Sequence, residues 1–303
     1  MKHLNYPRLI VLLLILAASA AMLYALWLHN KGASTETAAA AAPAMISNAP
    51  NVPTIGNPKF GMYVDSPTPT AIENSLGKKL AILGQFIHFN QPLANSKLAY
   101  ACRQGYVPLI SWESWLGPNK DWRSDPYPLA DIAAGKFDDL LKTNLKAVAA
   151  MCKDQTILLR VDQEMDQPIG VQSYTSWQGN PTAYIAAWRH IVGLARAIDP
   201  KMLFIWSPNR ATDIAKLYYP GDQWVDYVGL TLNRNGAVVS QSGAPTSFSQ
   251  FYEQNQAIED YGKPVIIGET TTLEEPGNPA FKANWIADML AYSRTNPKIV
   301  ALV

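Results

Sequence analysis

The chain has 303 residues, 48% of them hydrophobic and 16% charged, with a formal net charge of +1. This length supports one large domain with a sizeable core, and the composition is neither that of a disordered nor of a fibrous chain. Lysines and arginines are scattered rather than clustered, so nothing marks a nucleic-acid partner and a neutral one is expected.

Taken in chain order, the first segment stands apart. Lys2 and Arg8 precede Leu9 to Leu28, an uncharged run of twenty residues. At ~1.5 Å rise per residue a helix of that length spans about 30 Å, the hydrocarbon thickness of a bilayer. Tyr24 and Trp27 suit the interface, and the basic residues before the run favour a cytoplasmic N-terminus. The rival reading is a cleaved signal peptide, because "AASAAM" offers small residues to a peptidase. Both readings put the rest of the chain outside the cytoplasm, anchored in the cell envelope or secreted. Residues 1–30 are therefore read as a signal-anchor transmembrane helix. Residues 31–58, rich in Ala, Pro, Ser, Thr and Asn, bury too little apolar surface to offset their ordering entropy and read as a flexible linker.

Residues 59–303 alternate short apolar runs with amphipathic stretches. Strands are expected at "FGMYV", "LAILGQFIHF", "VPLISW", "ILLRV", "MLFIWSP", "DYVGLTL", "PVIIGE" and "KIVALV". Between them lie patterns such as "FDDLLKTNLKAVAAMC" and "PTAYIAAWRHIVGLARAI", with apolar positions every three or four residues. Pro181 at a first helical turn and Asp199-Pro200 beyond the other end punctuate the second. Eight strands alternating with helices predict an α/β fold, a (β/α)8 TIM barrel. A doubly wound open sheet is the alternative, although no glycine-rich strand-to-helix turn marks a nucleotide site. The chain stops at Val303, at strand eight and with no eighth helix after it, as a fragment or a truncated product would. Cys102 and Cys152 each fall near a helix C-terminus just before consecutive strands, placing them on one rim as a disulfide or as two buried thiols; their spacing is not a zinc pattern.

Function in a barrel gathers at the C-terminal strand ends. "LLRVDQEMDQP" (158–168) ends strand four in a cluster of acids and amides, and "PVIIGETTTLEEP" (264–276) delivers Glu269 at strand seven. Glu164 and Glu269 would thus share one mouth. Two carboxylates flanking a glycosidic bond are what its hydrolysis needs, one protonated to assist the leaving group and one ionised to attack or to activate water. A lone strand-end glutamate is more often a solvated or salt-bridged side chain; the pairing of strands four and seven is what points to chemistry.

"RVDQEM", "WQGNPTAYIAAWRHIV", "FIWSPN", "YYPGDQWVDYVGL" and "KPVIIGET" resemble, in order and spacing, blocks of glycoside hydrolase family 26, the β-mannanase family of the retaining clan A barrels. The resemblance runs from about Phe60 to the C-terminus. It implies that Glu164 is the acid/base and Glu269 the nucleophile of a double displacement on a β-linked polysaccharide, β-mannan or β-glucan, with no metal or organic cofactor. Retention implies carboxyl groups about 5–5.5 Å apart. The chain departs from the family where His-Glu-Met-Asn is usual, having Gln163-Glu164-Met165-Asp166. Gln163 donates and accepts hydrogen bonds but cannot become a cation. A carboxylate at Asp166 beside Glu164 should raise that group's proton affinity. Strand six ends in "GLTLNRN" without the family's orienting aromatic, so Asn233 or Arg234 is expected in its place.

Nine tryptophans and fourteen tyrosines are many for this length, and flat aromatic faces suit sugar rings as well as cores. Trp112, Glu113 and Trp115 after strand three are expected to form a sugar platform, against the reading of core tryptophans at the rim. The resemblance implies sugar stacking on Trp177. Trp206 and Asn209 end strand five, Trp206 being equally suited to wall packing. Arg160 shares a strand with Glu164 at even spacing, so both should face one side and the arginine should bind the acid cluster. His88 ends strand two and completes the expected substrate contacts, whereas His190, Trp188 and Trp285 fall on helices and read as structural. A second function class stands beside the hydrolase: a carbohydrate-binding barrel impaired in catalysis at Gln163, Asp166 and strand six. Association with polysaccharide synthesis or export machinery is compatible with either.

Overall fold

The computed structural model describes residues 58–65, 68–115, 126–153, 155–167 and 177–303. The expected membrane anchor, and the linker up to residue 57, lie outside the described residues. Among the described residues no helix is long and apolar enough to cross a membrane.

Strand β1 (Lys59–Tyr63) is followed by α1 (Thr70–Leu76), β2 (Ile82–His88) by α2 (Ser96–Gln104), and β3 (Val107–Glu113) by α3 (Leu129–Ala133) and α4 (Asp138–Met151). β4 (Ile157–Val161) leads into α5 (Pro181–Ile198), β5 (Met202–Trp206) into α6 (Asp213–Lys216), and β6 (Tyr227–Arg234) into α7 (Gly236–Val239) and α8 (Phe248–Glu253). β7 (Val265–Thr272), α9 (Phe281–Thr295) and β8 (Ile299–Leu302) complete the order. Every neighbouring pair is parallel, and β8 returns to β1 through Lys59↔Ala301 and Phe60↔Leu302. The sheet is therefore a closed eight-stranded (β/α) barrel, and the open doubly wound sheet is excluded.

The local reasons are visible in α5. Asn180 accepts a hydrogen bond from the Ala183 amide at 3.2 Å and Pro181 occupies the first turn, so the helix starts where two orphan donors are dealt with at once. Its buried stripe of Tyr184, Trp188, Ile191 and Ala195 follows the helical period, and Trp188 meets Phe204 of β5 edge-on at 5.9 Å. His190 contacts Asp138 of α4 at 2.6 Å, a structural tie between neighbouring helices. Cys102 of α2 and Cys152 just after α4 form a disulfide with Cα atoms 5.3 Å apart, which fastens the helices ahead of the adjacent strands β3 and β4.

Strand parity divides the side chains between barrel interior and helical layer. Leu109, Leu158, Leu203, Ile205, Tyr227 and Ile266 pack together inside, while Ile110, Leu159, Val161, Phe204 and Trp206 face the helices. Two residues beyond Leu109 and Leu158, on the same inward side, come Ser111 and Arg160. An apolar floor thus gives way to a polar layer toward the mouth.

Candidate active site

Three acids end β4, and each has a separate task. Asp162 accepts from the Ser114 amide at 2.7 Å and from its hydroxyl at 2.9 Å, fixing the turn after β3. Asp166 accepts from the backbone amides of Asn209 at 2.6 Å and Arg210 at 3.0 Å, fixing the turn after β5. Between them Glu164 has φ 59°, and Asp162 has φ 43°. Non-glycine residues in this left-handed region are uncommon and cluster at functional sites. Here the turn is held by its own partners, since the Glu164 amide donates to the Ser207 carbonyl at 2.9 Å. The even-spacing expectation is corrected accordingly: β4 stops at Val161, and Glu164 reaches the mouth through this turn rather than as a strand position.

Glu269 arrives by a different device. β7 does not finish at Glu269 but runs to Thr272, and its pairing with β6 slips by one residue: Ile267 faces Leu230, whereas Glu269 faces Thr231. Such a bulge inverts the facing of everything beyond it. Ile266 lies inside and Ile267 outside, so unbroken alternation would turn Glu269 toward the helices; the extra residue, Gly268, turns it inward. Gly268 also makes room for Arg160, because a Cβ there would sit 2.8 Å from the guanidinium Nε.

Arg160 is fully buried. Its Nη1 donates to Glu269 Oε1 at 2.5 Å and to Ser111 Oγ at 3.3 Å, and its Nη2 donates to Thr231 Oγ1 at 2.7 Å. Ser111 Oγ lies 2.9 Å from the Tyr63 hydroxyl, whose pKa is pushed up to about 12, chiefly by burial. Asn233 donates Nδ2 to Glu269 Oε2 at 3.3 Å, the role expected of it or of Arg234. Arg234 turns elsewhere, donating to the Pro245 carbonyl at 2.8 Å and contacting Glu275 at 3.2 Å.

Glu164 accepts a hydrogen bond from the Gln167 side-chain amide, and the side chains of Thr231 and Asn209 lie close enough to favour its ionised form. Thr231 therefore touches Arg160 on one side and Glu164 on the other. Burial, and then the charge of Glu269, hold the Glu164 carboxyl above the usual carboxylate range, against the opposing pull of Arg160 and the hydrogen bonds. Asp166 is not among these causes. Its carboxylate accepts from two backbone amides, which is where the structure places the acid expected to act on Glu164.

Both glutamates line a cavity of about 830 Å³ together with Asn209, Asn233, Thr231 and Arg210. The four tryptophans expected to hold sugar do not line this cavity. Trp112, Trp115, Trp177 and Trp206 are all buried in the packing between barrel and helices. Trp112 lies against Phe89 at 4.5 Å, and Trp206 meets Tyr219 and Tyr261 at 5.0 Å each. Parity explains two of them: Ser111 and Ile205 point inward, so Trp112 and Trp206 point outward, whereas Trp115, beyond β3, packs edge-on against His88 at 5.5 Å. Gln163 and Glu113 are also buried, the Gln163 amide donating to Glu113, with His88 Nδ1 3.1 Å from the same carboxylate. These three face one another and do not line the cavity of the two glutamates. Gln167, Thr231 and Arg210 were not expected from sequence; Gln167 lies three positions after Glu164, and "SPNR" carries Arg210 next to Asn209.

Residues 128–259 match the sequence profile of Glycosyl hydrolase family 26, a span that holds Glu164 but ends before Glu269. Endoglucanase H of Acetivibrio thermocellus is 29% identical over 262 residues, which cover 81% of this chain and 27% of that protein. The chain thus spans about a quarter of the length of this relative. Among solved structures, the catalytic domain of a family 26 endo-β-1,4-mannanase from Bacillus sp. JAMB-750 aligns with a TM-score of 0.57 at 18% identity, covering 82% of this chain and 76% of that one. A β-mannanase from a symbiotic protist of the termite Reticulitermes speratus, complexed with a gluco-manno-oligosaccharide, aligns with a TM-score of 0.52 at 15% identity, covering 77% and 78%. These structural likenesses show the shared barrel, and in sequence the chain is similar to glycosyl hydrolase family 26 over residues 128–259.

Proposed function

We propose that the barrel hydrolyses a β-linked polysaccharide, β-mannan or β-glucan, by retaining double displacement. The observation that carries this reading is the asymmetry of two carboxyl groups around Thr231: Glu269 is ion-paired with a fully buried arginine, and Glu164 holds its proton more tightly than an ordinary carboxyl. Glu269 is the nucleophile. It attacks the anomeric carbon as the bond to the leaving oxygen breaks, and Glu164 gives that oxygen its proton. Water then attacks the glycosyl-enzyme, Glu164 takes a proton from it, and Glu269 leaves as a carboxylate. Arg160 and Asn233 orient Glu269, and Asn209 and Gln167 orient Glu164. No metal or organic cofactor enters these steps.

The names of the relatives bear on the substrate: an endoglucanase in one case and β-mannanases in others. The uncharged run at 9–28 and the Cys102–Cys152 disulfide favour a barrel held outside the cytoplasm, in an oxidising compartment. The test is release of reducing ends from mannan, mixed-linkage glucan and cellulose by the full chain. The wild type should release them from at least one polymer, and Glu164→Gln and Glu269→Gln should each abolish release. Release that survives both substitutions, or its absence on all three polymers, overturns the proposal.

A further inference from the structure

The four tryptophans best placed by sequence to hold sugar are buried, whereas Phe86 of β2 is 46% exposed. Its ring stacks on Tyr63 with centroids 4.5 Å apart and planes 18° off parallel, so one face is covered while nearly half of the residue stays exposed. The stack is built into the sheet. Tyr63 pairs in register with Gly84, and a Cβ on Gly84 would lie 2.7 Å from the tyrosine ring; the glycine lets that ring lie flat over β2. Phe86 follows two residues further along the same inward side, beside Ser111. The pair lines a second cleft of about 510 Å³, whose polar lining includes Asp65, Gln85, Gln91 and Asn95.

Position gives this cleft a meaning. The cavity of the two glutamates is lined largely from β5, β6 and the segments after them, on the opposite side of the eight-stranded ring from β1 and β2. An exposed aromatic ring beside amide and carboxylate groups is the chemistry that recognises a pyranose, apolar on one face and hydroxylated at its edges.

Resting on the hydrolase reading, we propose that Phe86, seated on Tyr63, is the platform for a further pyranose ring of the same β-linked chain, so that the polysaccharide lies across the barrel mouth from the β5–β6 side to the β1–β2 side.

The full chain is compared with Phe86→Ala, Phe86→Trp and the surface control Ile286→Ala, using β-mannan, mixed-linkage β-glucan and their hexasaccharides. F86A should raise KM for polymer at least fivefold with kcat changed less than twofold; F86W should restore KM, and I286A should match the wild type. Oligosaccharide binding by calorimetry in the E164Q background should weaken with F86A by a similar factor. That readout separates the two claims: binding through Phe86 without release of reducing ends upholds the platform and overturns the hydrolase. Unchanged KM and unchanged affinity in F86A, or a loss that F86W does not restore, overturns the platform.

Discussion

Arg160 Nη1 lies 2.5 Å from Glu269 Oε1 although 109 positions separate the two residues, and the arginine is the fully buried partner. A bidentate-capable cation fixed by Ser111 and Thr231 leaves the glutamate little freedom to turn away. Arg160→Lys keeps the charge but cannot serve three acceptors in one plane. Losing one charge-assisted hydrogen bond worth roughly 1.5–3 kcal/mol corresponds to a fall in kcat/KM of about 10- to 100-fold. Steady-state kinetics on the preferred polymer check this, and a lysine variant within twofold of wild type would remove Arg160 from the argument.

Gly268→Ala should produce a similar loss without removing any functional group. The added methyl meets the guanidinium at 2.8 Å, so Arg160 or β7 must move. The loss should appear mainly in kcat, because orientation of the nucleophile is at stake and not the grip on substrate.

Glu164 must carry its proton to assist departure of the leaving group, so kcat/KM should fall as pH rises through its raised pKa. The charge of Glu269 is the second cause of that rise, after burial. Glu269→Gln should therefore move the Glu164 titration to lower pH, as followed by carbon-13 NMR of the labelled carboxyl. Asp166→Asn should leave it nearly in place, since Asp166 is bound to the Asn209 and Arg210 amides. A large shift in D166N with none in E269Q would reverse the assignment.

The same elevation has a sign for stability. A carboxyl whose folded pKa lies above its unfolded value makes the native state bind more protons than the unfolded chain, so stability falls as pH rises through that window. Glu164→Gln should raise the melting temperature at pH 7, and the gain should shrink toward acid pH, where the wild-type carboxyl is already protonated. Calorimetry at several pH values reads this directly.

The Cys102–Cys152 bridge closes a loop of 50 positions. By the chain-entropy relation such a loop contributes about 4 kcal/mol, with measured bridges spanning roughly 2–4. The double serine variant should lose stability in that range in urea unfolding while keeping activity at low temperature.

The eight strands were legible because each is a short apolar run, and burial on both faces of a parallel barrel demands such runs. The two glutamates were legible because carboxylates following those runs have no place in a core. The facing of the strand tryptophans was not legible: Trp112 and Arg160 belong to neighbouring strands, and only their register shows that Ser111, not Trp112, shares the arginine's side. The slip at Gly268 has the same origin, since nothing in "VIIGET" announces an extra residue. Phe86 escaped notice because its exposure depends on Tyr63 lying over Gly84, a contact between strands that composition does not encode. Asp166 shows the converse. Its carboxylate next to Glu164 in sequence suggested electrostatics, while its geometry ties down the loop after β5.

The central claim, that Glu269 attacks sugar while Glu164 supplies the proton, is tested most directly by trapping. A 2-deoxy-2-fluoro β-glycoside with a good leaving group should inactivate the full chain with an intact-mass gain of one glycosyl unit, and peptide mapping should place it on Glu269. A turning-over enzyme that never takes up the label, or takes it up on another residue, would contradict the account.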